Sequence, residues 1–295
     1  MKLKKCLNLV VLLMMVFNLS FSGKNSTPFT YIEYYNKVNK AKEEFGKKEF
    51  AKCYEILNQL FAEYEPLNQG IIYEYSLYIK CAVILKKDID YDLALKKLVK
   101  EFGFGKGYFY GQYRDGLLVK ALKLSSLKEK DIDKYISEYK SSKNYALRDI
   151  IVEMNIRDQL FRGKNDVLYR KKIDSVDSIN QKILVQVFEK YGFPNDRLIG
   201  NRALKGKPER VLIDALLIHM AGKGKTQYFK KKLLEFVENG QCSPFVYATF
   251  VDRECLNLGR EQVYYTFIQK GKKLSKKQIE NINWNRKNIG LNIIN

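Results

Sequence analysis

The sequence predicts an all-α protein. Apolar residues recur three and four positions apart along most of the 295 residues, and this spacing places them on one face of a helix. Only five prolines interrupt these patterns. An alternating pattern, which is typical of a β-strand, occurs at one place, from Gln262 to Phe267. We therefore expect helices throughout the chain, with at most one strand.

Residues 1–22 have the layout of a secretory signal peptide. Lys2, Lys4 and Lys5 form a positive segment, an apolar run extends from Leu7 to Phe21, and Ser20-Phe21-Ser22 supplies small residues for cleavage. This run is shorter than the roughly 20 apolar residues of a membrane span, so a retained anchor is the less favoured interpretation. We expect a periplasmic or secreted protein that does not span a membrane after signal removal.

The composition is that of a folded, strongly basic protein. An apolar content of 46% and an aromatic content of 13% supply a core. The formal net charge is +20, which suits an anionic polymer, although abundant lysine and asparagine also reflect an AT-rich genome. Export argues against nucleic acid. We therefore expect the partner to be a protein or an anionic envelope polymer.

Four cysteines remain after signal cleavage: Cys53, Cys81, Cys242 and Cys255. All four lie in apolar helical patterns, so we interpret them mainly as small buried residues. An exported protein can form disulfides, and Cys53 with Cys81 is the first pair to test. A single histidine and the lack of a CxxC motif argue against a zinc site. We expect no cofactor.

Residues 23–140 contain a repeated pattern. Small, aromatic and small residues recur at identical offsets: Ala41, Phe50 and Cys53, then Ala82, Tyr91 and Ala94. This pattern resembles tetratricopeptide helix pairs, which implies a scaffold of stacked helices. The two segments lie 41 residues apart, whereas that family repeats at about 34, so the connection from Glu65 to Gly70 must be longer. An ordinary helical bundle would show the same local pattern.

The remaining chain divides into three segments. Gly103 to Gly116 is rich in glycine and tyrosine and predicts a long loop or a bend. Residues 141–269 predict a compact helical domain that begins near Asn144. Residues 270–295 predict a basic C-terminal tail, solvated or loosely docked, because five lysines cluster at its start. These are Lys270, Lys272, Lys273, Lys276 and Lys277.

Helical spacing places four polar side chains on apolar faces of the second half: Asp158, Asn180, His219 and Asp252. Asp158 lies four residues after Met154, and His219 lies three after Leu216. The helix of Asp252 begins at Ser243-Pro244, with serine as N-cap and proline in the first turn. An unpartnered buried polar group costs about 1–3 kcal/mol, so we expect these residues to partner one another.

This cluster has a structural and a functional interpretation. In the structural one, which we favour, Arg157 and Arg253 neutralise the adjacent aspartates in a network that holds four helices together. In the functional one, His219 is a general base oriented by Asp252, and either arginine holds an anionic group. A metal site at Asp158, His219 and Asp252 is a third interpretation. Short motifs such as HExxH are absent, so we expect no metal.

Residues 154–267 also carry a series of short motifs in a fixed order. They are Arg157-Asp158-Gln159, Asn180, Gly192-Phe193-Pro194 with Gly200, His219, Asp252-Arg253, and Gln262 to Phe267. This series resembles an uncharacterised bacterial domain-of-unknown-function family with the motifs RDQ, GWP, QHA, DR and QxYGTQ. The resemblance implies that His219, Asp158, Arg157, Asp252, Arg253 and Gln262 form one constellation.

The chain departs from these family motifs at several positions. Phe193 replaces the tryptophan, Ile218 replaces the glutamine before the histidine, and Met220 follows the histidine. Tyr265 and Phe267 replace the glycine and the last glutamine. If the motif residues line a pocket, this pocket is more apolar than that of the family.

These observations predict an exported helical binding or scaffold protein of the cell envelope. Stacked helix pairs present a surface suited to extended partners. The alternative is a hydrolase-type enzyme that uses His219 and Asp252 as catalytic residues, with Asp158 as a further candidate. In either case the candidate binding residues are Arg157, Arg253, Gln262 and Asn180.

Overall fold

The computed structural model describes residues 30–68, 73–111, 114–162, 167–202, 204–205, 209–269, 271 and 273–294. The predicted signal peptide lies outside these residues, as do Gly70, Lys270 and Lys272. Within them, the regular secondary structure consists of thirteen α-helices and one 3-10 helix, with no strand. The predicted all-α fold is confirmed. The strand considered from Gln262 to Phe267 is wrong, because this segment forms bends and irregular backbone.

The helices follow one another as α1 (Tyr31–Gly46), α2 (Phe50–Glu63), α3 (Glu74–Ile84), α4 (Tyr91–Lys100), α5 (Gly116–Leu124), α6 (Glu129–Ser141), α7 (Tyr145–Gln159), α8 (Val167–Tyr191), α9 (Asp196–Ile199), α10 (Ile213–Met220), α11 (Thr226–Glu238), α12 (Pro244–Asn257) and α13 (Lys276–Asn288). The 3-10 helix is Lys106–Tyr108. Ser243 caps α12 by accepting from the Phe245 amide, with Pro244 in the first turn, as the sequence predicted.

The small residues of the N-terminal repeat pattern are buried where consecutive helices pack. Ala41 of α1, Cys53 of α2, Ala82 of α3 and Ala94 of α4 are each at most 5% exposed. A small side chain allows two helix axes to approach closely, which explains the recurrence of alanine and cysteine at these offsets. The assignment to tetratricopeptide repeats stays a prediction.

Two hydrophobic cores hold the helices together. The larger core contains Leu57 and Leu60 of α2 together with Ile151 of α7, Leu184 of α8 and Phe250 of α12. The smaller core is formed by α3 to α6 and the segment between α4 and α5, with Phe104 and Phe109 buried in it. Helices α1 and α2 contribute to the larger core together with the later helices. The predicted domain boundary near residue 140 therefore does not separate the two cores.

The chain after α12 is folded against the rest of the protein. Ser275 and Gln278 form a capping box at the start of α13, and Ile282, Arg286, Ile289 and Leu291 are buried. Asn36 and Asn39 of α1 donate to the carbonyls of Lys287 and Gly290, both at 3.0 Å. The expectation of a solvated or loosely docked tail is therefore corrected, because its apolar residues and carbonyl groups pack on α1.

The four cysteines are all buried and free of disulfide bonds. This agrees with their interpretation as small core residues.

None of the helices in the described ranges is both long enough and apolar enough to cross a membrane.

A buried carboxyl group stands at the start of α3. Glu74 is 2% exposed, and its Oε1 accepts from the Tyr34 hydroxyl at 2.8 Å and from the Asn68 amide at 2.5 Å. Its Oε2 has no hydrogen-bond partner within the part of the chain that the structure describes. Burial raises the pKa of Glu74 despite the nearby positive charge of Lys42. A carboxyl group whose pKa is raised by folding stabilises the fold at low pH, and this contribution is lost as the pH rises through the raised pKa.

We expect Glu74→Gln to increase the free energy of unfolding by about 1–2 kcal/mol at pH 7.5, because glutamine keeps an acceptor oxygen without a buried charge. The gain should shrink at pH 4, where Glu74 itself is protonated. Urea denaturation at both pH values measures this. The exposed Glu55→Gln serves as the control, with no change expected. A loss of stability in Glu74→Gln at pH 7.5 would contradict the prediction.

Candidate functional site

A network of charged side chains joins α7, α8 and α10. Asp158 of α7 and Asp177 of α8 are both buried. Arg162 donates to Asp158 at 2.6 Å and to Asp177 at 2.5 Å. His219 of α10 lies with its Nδ1 3.0 Å from an Asp158 oxygen, and Lys223 donates to Asp177 at 3.0 Å. We call these five residues the ionic network.

The charges in the ionic network compensate one another. Burial acts to raise the pKa of Asp158, but the hydrogen bonds from His219 and Arg162 outweigh it and lower this pKa to about 2. Burial acts to lower the pKa of Arg162, and the hydrogen bond to Asp158 together with the charge of Asp177 raises it above its ordinary value. Both groups are therefore held in their charged forms. One polar atom of the network, the Nε of Arg162, is buried without a hydrogen-bond partner among the described residues. The pairing of both carboxylates with cations is nevertheless typical of a structural role.

The structure places four predicted site residues in or beside this network. Asp158 and His219 are paired. Asn180 of α8 is fully buried and donates to the Met154 carbonyl at 3.2 Å, and it accepts from Arg157 at 3.2 Å. Arg157 therefore contacts Asn180, and the neutralisation of Asp158 that we predicted for Arg157 is performed by Arg162.

Sequence reasoning missed three members of the ionic network. Arg162 lies four residues after Asp158, which is the spacing of an ion pair on one helix face, so this signal was present in the sequence. Lys223 lies in the turn after α10, where no helical spacing indicates the direction of a side chain. Asp177 stands one position away from the apolar residue Val176, where helical spacing alone gives no clear orientation.

Asp252 has a different role from the predicted one. Its two oxygens accept four hydrogen bonds of 2.7–2.9 Å from the amides of Val263, Tyr264 and Thr266 and from the Thr266 hydroxyl. In the described residues, the carboxylate that contacts His219 is Asp158. The hypothesis that Asp252 orients His219 is therefore corrected, because Asp252 holds the segment after α12.

Gln262 and Arg253 also belong to this segment. The Gln262 side chain accepts from the Phe267 amide at 2.9 Å and donates to the Phe267 carbonyl at 2.7 Å, so it closes the segment as a loop. The Arg253 guanidinium lies 4.4 Å from the centre of the Phe267 ring, and its Nε is buried without a hydrogen-bond partner among the described residues. Neither side chain contacts the ionic network, so the six residues of the implied constellation form two groups.

The loop from Gln262 to Phe267, which we call the Asp252 loop, contains a residue with left-handed backbone. Tyr265 has a φ of +53°, a conformation that costs a non-glycine residue roughly 1–2 kcal/mol. This is the position at which the motif of the resembled family has glycine. Arg286 of α13 donates to the neighbouring Tyr264 carbonyl at 2.6 Å and thereby joins the C-terminal helix to the loop.

A cleft of about 230 Å³ lies on another part of the surface. Its walls include Tyr73 before α3, Phe102 after α4 and Tyr139 of α6, together with Phe193 and Pro194 of the predicted turn motif. The turn is held by Gln241, whose Oε1 accepts from the Phe193 amide at 3.3 Å. The cleft therefore joins residues of both predicted domains. Sequence reasoning missed it because its walls are distant along the chain.

The cleft carries several ionisable groups. Glu101 pairs with Arg197 at 3.2 Å, whereas Asp196 and Asp214 are exposed at the lining and have no side-chain partner among the described residues. The protein atoms crowded around Asp196 raise the pKa of its carboxyl group, although the residue remains exposed to solvent. Lys143 adjoins this region, and burial with the charge of Arg197 lowers its pKa to about 8. Perturbed ionisable groups in a concave site are typical of functional sites.

An amide group in the cleft lining also lacks a partner. Asn68 is 7% exposed, and its Oδ1 accepts from the Tyr75 amide at 3.1 Å, which fixes the orientation of the side chain. Its Nδ2 is buried and has no acceptor among the described residues. A buried donor without an acceptor costs about 1–3 kcal/mol, so the Asn68 side chain is held in this orientation at a cost in stability.

Metal ligation finds no support in the described part of the chain, which contains no group of three or more histidine, cysteine or carboxylate side chains that would hold an ion. Comparisons of the chain with protein-family models, with curated proteins and with solved structures returned no match. The resemblance of residues 154–267 to the uncharacterised bacterial family therefore stays a prediction.

We expect Asp252→Asn to lower the free energy of unfolding by at least about 2 kcal/mol, because asparagine turns an NH2 donor toward amide donors of the Asp252 loop. Urea denaturation measures the change. The exposed Asp88→Asn is the matched control and should change stability by less than about 0.5 kcal/mol. An unchanged stability in Asp252→Asn would show that the loop does not depend on this carboxylate.

The stabilisation by Asp158 should depend on pH. Its pKa is lowered from its unfolded value of about 3.9 to about 2, so its contribution is present above pH 4 and is lost as the pH falls toward 2. We expect the wild type to exceed Asp158→Asn by about 2 kcal/mol or more at pH 6, with a difference that shrinks below pH 4. Urea denaturation between pH 2.5 and 6 tests this. A difference independent of pH would contradict it.

Proposed function

We propose that this chain is an exported helical binding protein of the cell envelope, which captures a partner protein in the cleft between Tyr73, Phe102, Tyr139 and residues 193–197. The observation that carries this proposal is the lining of the cleft. Aromatic walls lie beside polar groups that have no partner within the described chain. A concave apolar surface with a few oriented polar groups is typical of ligand sites.

The contacts of His219 favour binding over the hydrolase alternative. Its nitrogen pairs with Asp158, whose other hydrogen bonds come from Arg162 and Gln159. In the described chain no hydroxyl or thiol group bonds to His219, so the geometry provides no activated nucleophile there. The ionic network is better explained as a structural element that holds α7, α8 and α10 together.

The charge of the cleft favours a protein partner over an anionic polymer at this place. Its lining contains three carboxylates and one arginine, so it would repel a polyanion although the whole chain carries a net charge of +20.

The predicted signal peptide supports the proposed envelope location. Sequencing of the N-terminus of the exported chain tests that location, with Gly23 expected as the first residue.

Photo-crosslinking tests the proposed capture site. Phe102, which lines the cleft, is replaced by p-benzoylphenylalanine, and Tyr110, which is exposed outside the lining, is the matched aromatic control. In the native host, irradiation should produce a discrete protein adduct from position 102 and much less from position 110. The adduct from position 102 should persist at an undiminished level in the His219→Ala background.

Two outcomes would contradict the proposal. One is the absence of an adduct from position 102 in a chain that is exported and folded, with folding checked by its thermal unfolding. The other is loss of the adduct in His219→Ala at unchanged stability, which would place the functional site at the ionic network.

A further inference from the structure

Cys53 and Cys81 form a pair of buried thiols between two neighbouring helices. Cys53 lies in α2 and Cys81 in α3, which pack against each other, and both residues belong to the larger core. Each is 0% exposed. Their side chains share a hydrogen bond, which lowers the pKa of the Cys53 thiol and, together with burial, raises that of Cys81. The two sulfur atoms therefore face each other across the contact between the helices.

The other two cysteines cannot pair with each other. Cys242 lies immediately before Ser243, the N-cap of α12, and Cys255 lies near the opposite end of that helix. At about 1.5 Å per residue, the helix separates them by roughly 15 Å, whereas the Cα atoms of a disulfide lie within about 7 Å of each other. The Cys242 thiol instead donates to the Ser243 carbonyl at 3.5 Å.

The burial of Cys53 and Cys81 determines when they can be oxidised. An external oxidant has no access to either sulfur atom once α2 and α3 have packed, so the reaction must take place before these helices pack. The compartment of an exported protein supplies thiol oxidoreductases that carry a disulfide.

The oxidation proceeds by two exchange steps. One thiolate of the pair attacks the external disulfide, forms a mixed disulfide and releases one external thiolate. The second thiolate then attacks the chain's own sulfur in this mixed disulfide and releases the second external thiolate. Two electrons thus pass from the chain to the oxidoreductase, whose disulfide becomes a dithiol.

We infer that Cys53 and Cys81 are joined by a disulfide in the exported chain, and that this bond forms before α2 and α3 pack. The inference rests on the exported location given under the proposed function, because a reducing compartment keeps such thiols free. The bond closes residues 53–81, which supply Leu67 and Tyr73 to the lining of the cleft. It thereby ties this wall of the cleft to the core and restricts the unfolded chain.

Mass spectrometry of the chain isolated from its native host tests the inference. The sample is quenched with acid, unfolded and alkylated with iodoacetamide, so that only free thiols are labelled. We expect Cys242 and Cys255 to be alkylated, and peptides that contain Cys53 and Cys81 to be recovered as a linked pair. Alkylation of all four cysteines in a chain that begins at Gly23 would overturn the inference.

Refolding tests the pairing independently of location. The mature chain is reduced in urea and refolded with oxidised and reduced glutathione, and we expect the same linked pair. Reduction before refolding should lower the Tm by at least about 5 °C in the wild type and in Cys242→Ala/Cys255→Ala, because the constraint on the unfolded chain is lost. The variant Cys53→Ala/Cys81→Ala should have the same Tm with and without reduction.

Two refolding results would overturn the inference. One is a folded chain in which Cys53 and Cys81 stay unlinked or are linked to other cysteines. The other is a Tm that responds equally to reduction in the wild type and in Cys53→Ala/Cys81→Ala, which would show that this pair is not the reducible bond.

The two assays separate this inference from the proposed function. If the chain from the native host retains residues 1–22 and is not exported, the proposed location fails, and the refolding assay alone decides whether the two cysteines pair. If the chain is exported with four free thiols, only the inference fails. An exported chain with Cys53 linked to Cys81 supports both.

Discussion

The burial of carboxylates is the constraint on which the arrangement of the later helices depends. A charged carboxylate inside a protein is costly unless cations or amide donors surround it. Asp158 and Asp177 meet this requirement through Arg162, His219 and Lys223. Asp158 lies in α7 and Asp177 in α8, and their partners lie just after α7 and in or just after α10. The three helices must therefore keep their relative positions for the charges to remain paired.

The buried carboxylate of Asp252 is surrounded mainly by backbone amide donors. It accepts from the Asp252 loop, and Arg286 donates to the Tyr264 carbonyl in that loop. The C-terminal helix is therefore joined to α12 through a loop that one carboxylate organises. Asn36 and Asn39 of α1 complete the connection by bonding to carbonyls that follow α13. The first and last described helices thus belong to one packed unit.

The cleft differs from these sites because its carboxylates are left without partners. Asp196 and Asp214 lie exposed at a concave surface and have no side-chain partner among the described residues. Polar groups that the fold does not satisfy are expected where a protein keeps residues for function at a cost in stability. In the ionic network both carboxylates are paired with cations, although the Nε of Arg162 is buried without a partner in the described chain. The unpaired carboxylates are the physical reason to place binding at the cleft.

The sequence by itself determined the helical fold and the inward orientation of several polar residues, because both follow from spacing along a single helix. Asp158, Asn180 and Asp252 are buried as predicted. Only the tertiary structure decided which groups meet: His219 with Asp158, and Asp252 with the Asp252 loop. It also placed Tyr73 and Phe193, which are distant in sequence, in the lining of one cleft. Such contacts depend on how helices pack, and helix packing is fixed by many side chains together and not by any local pattern.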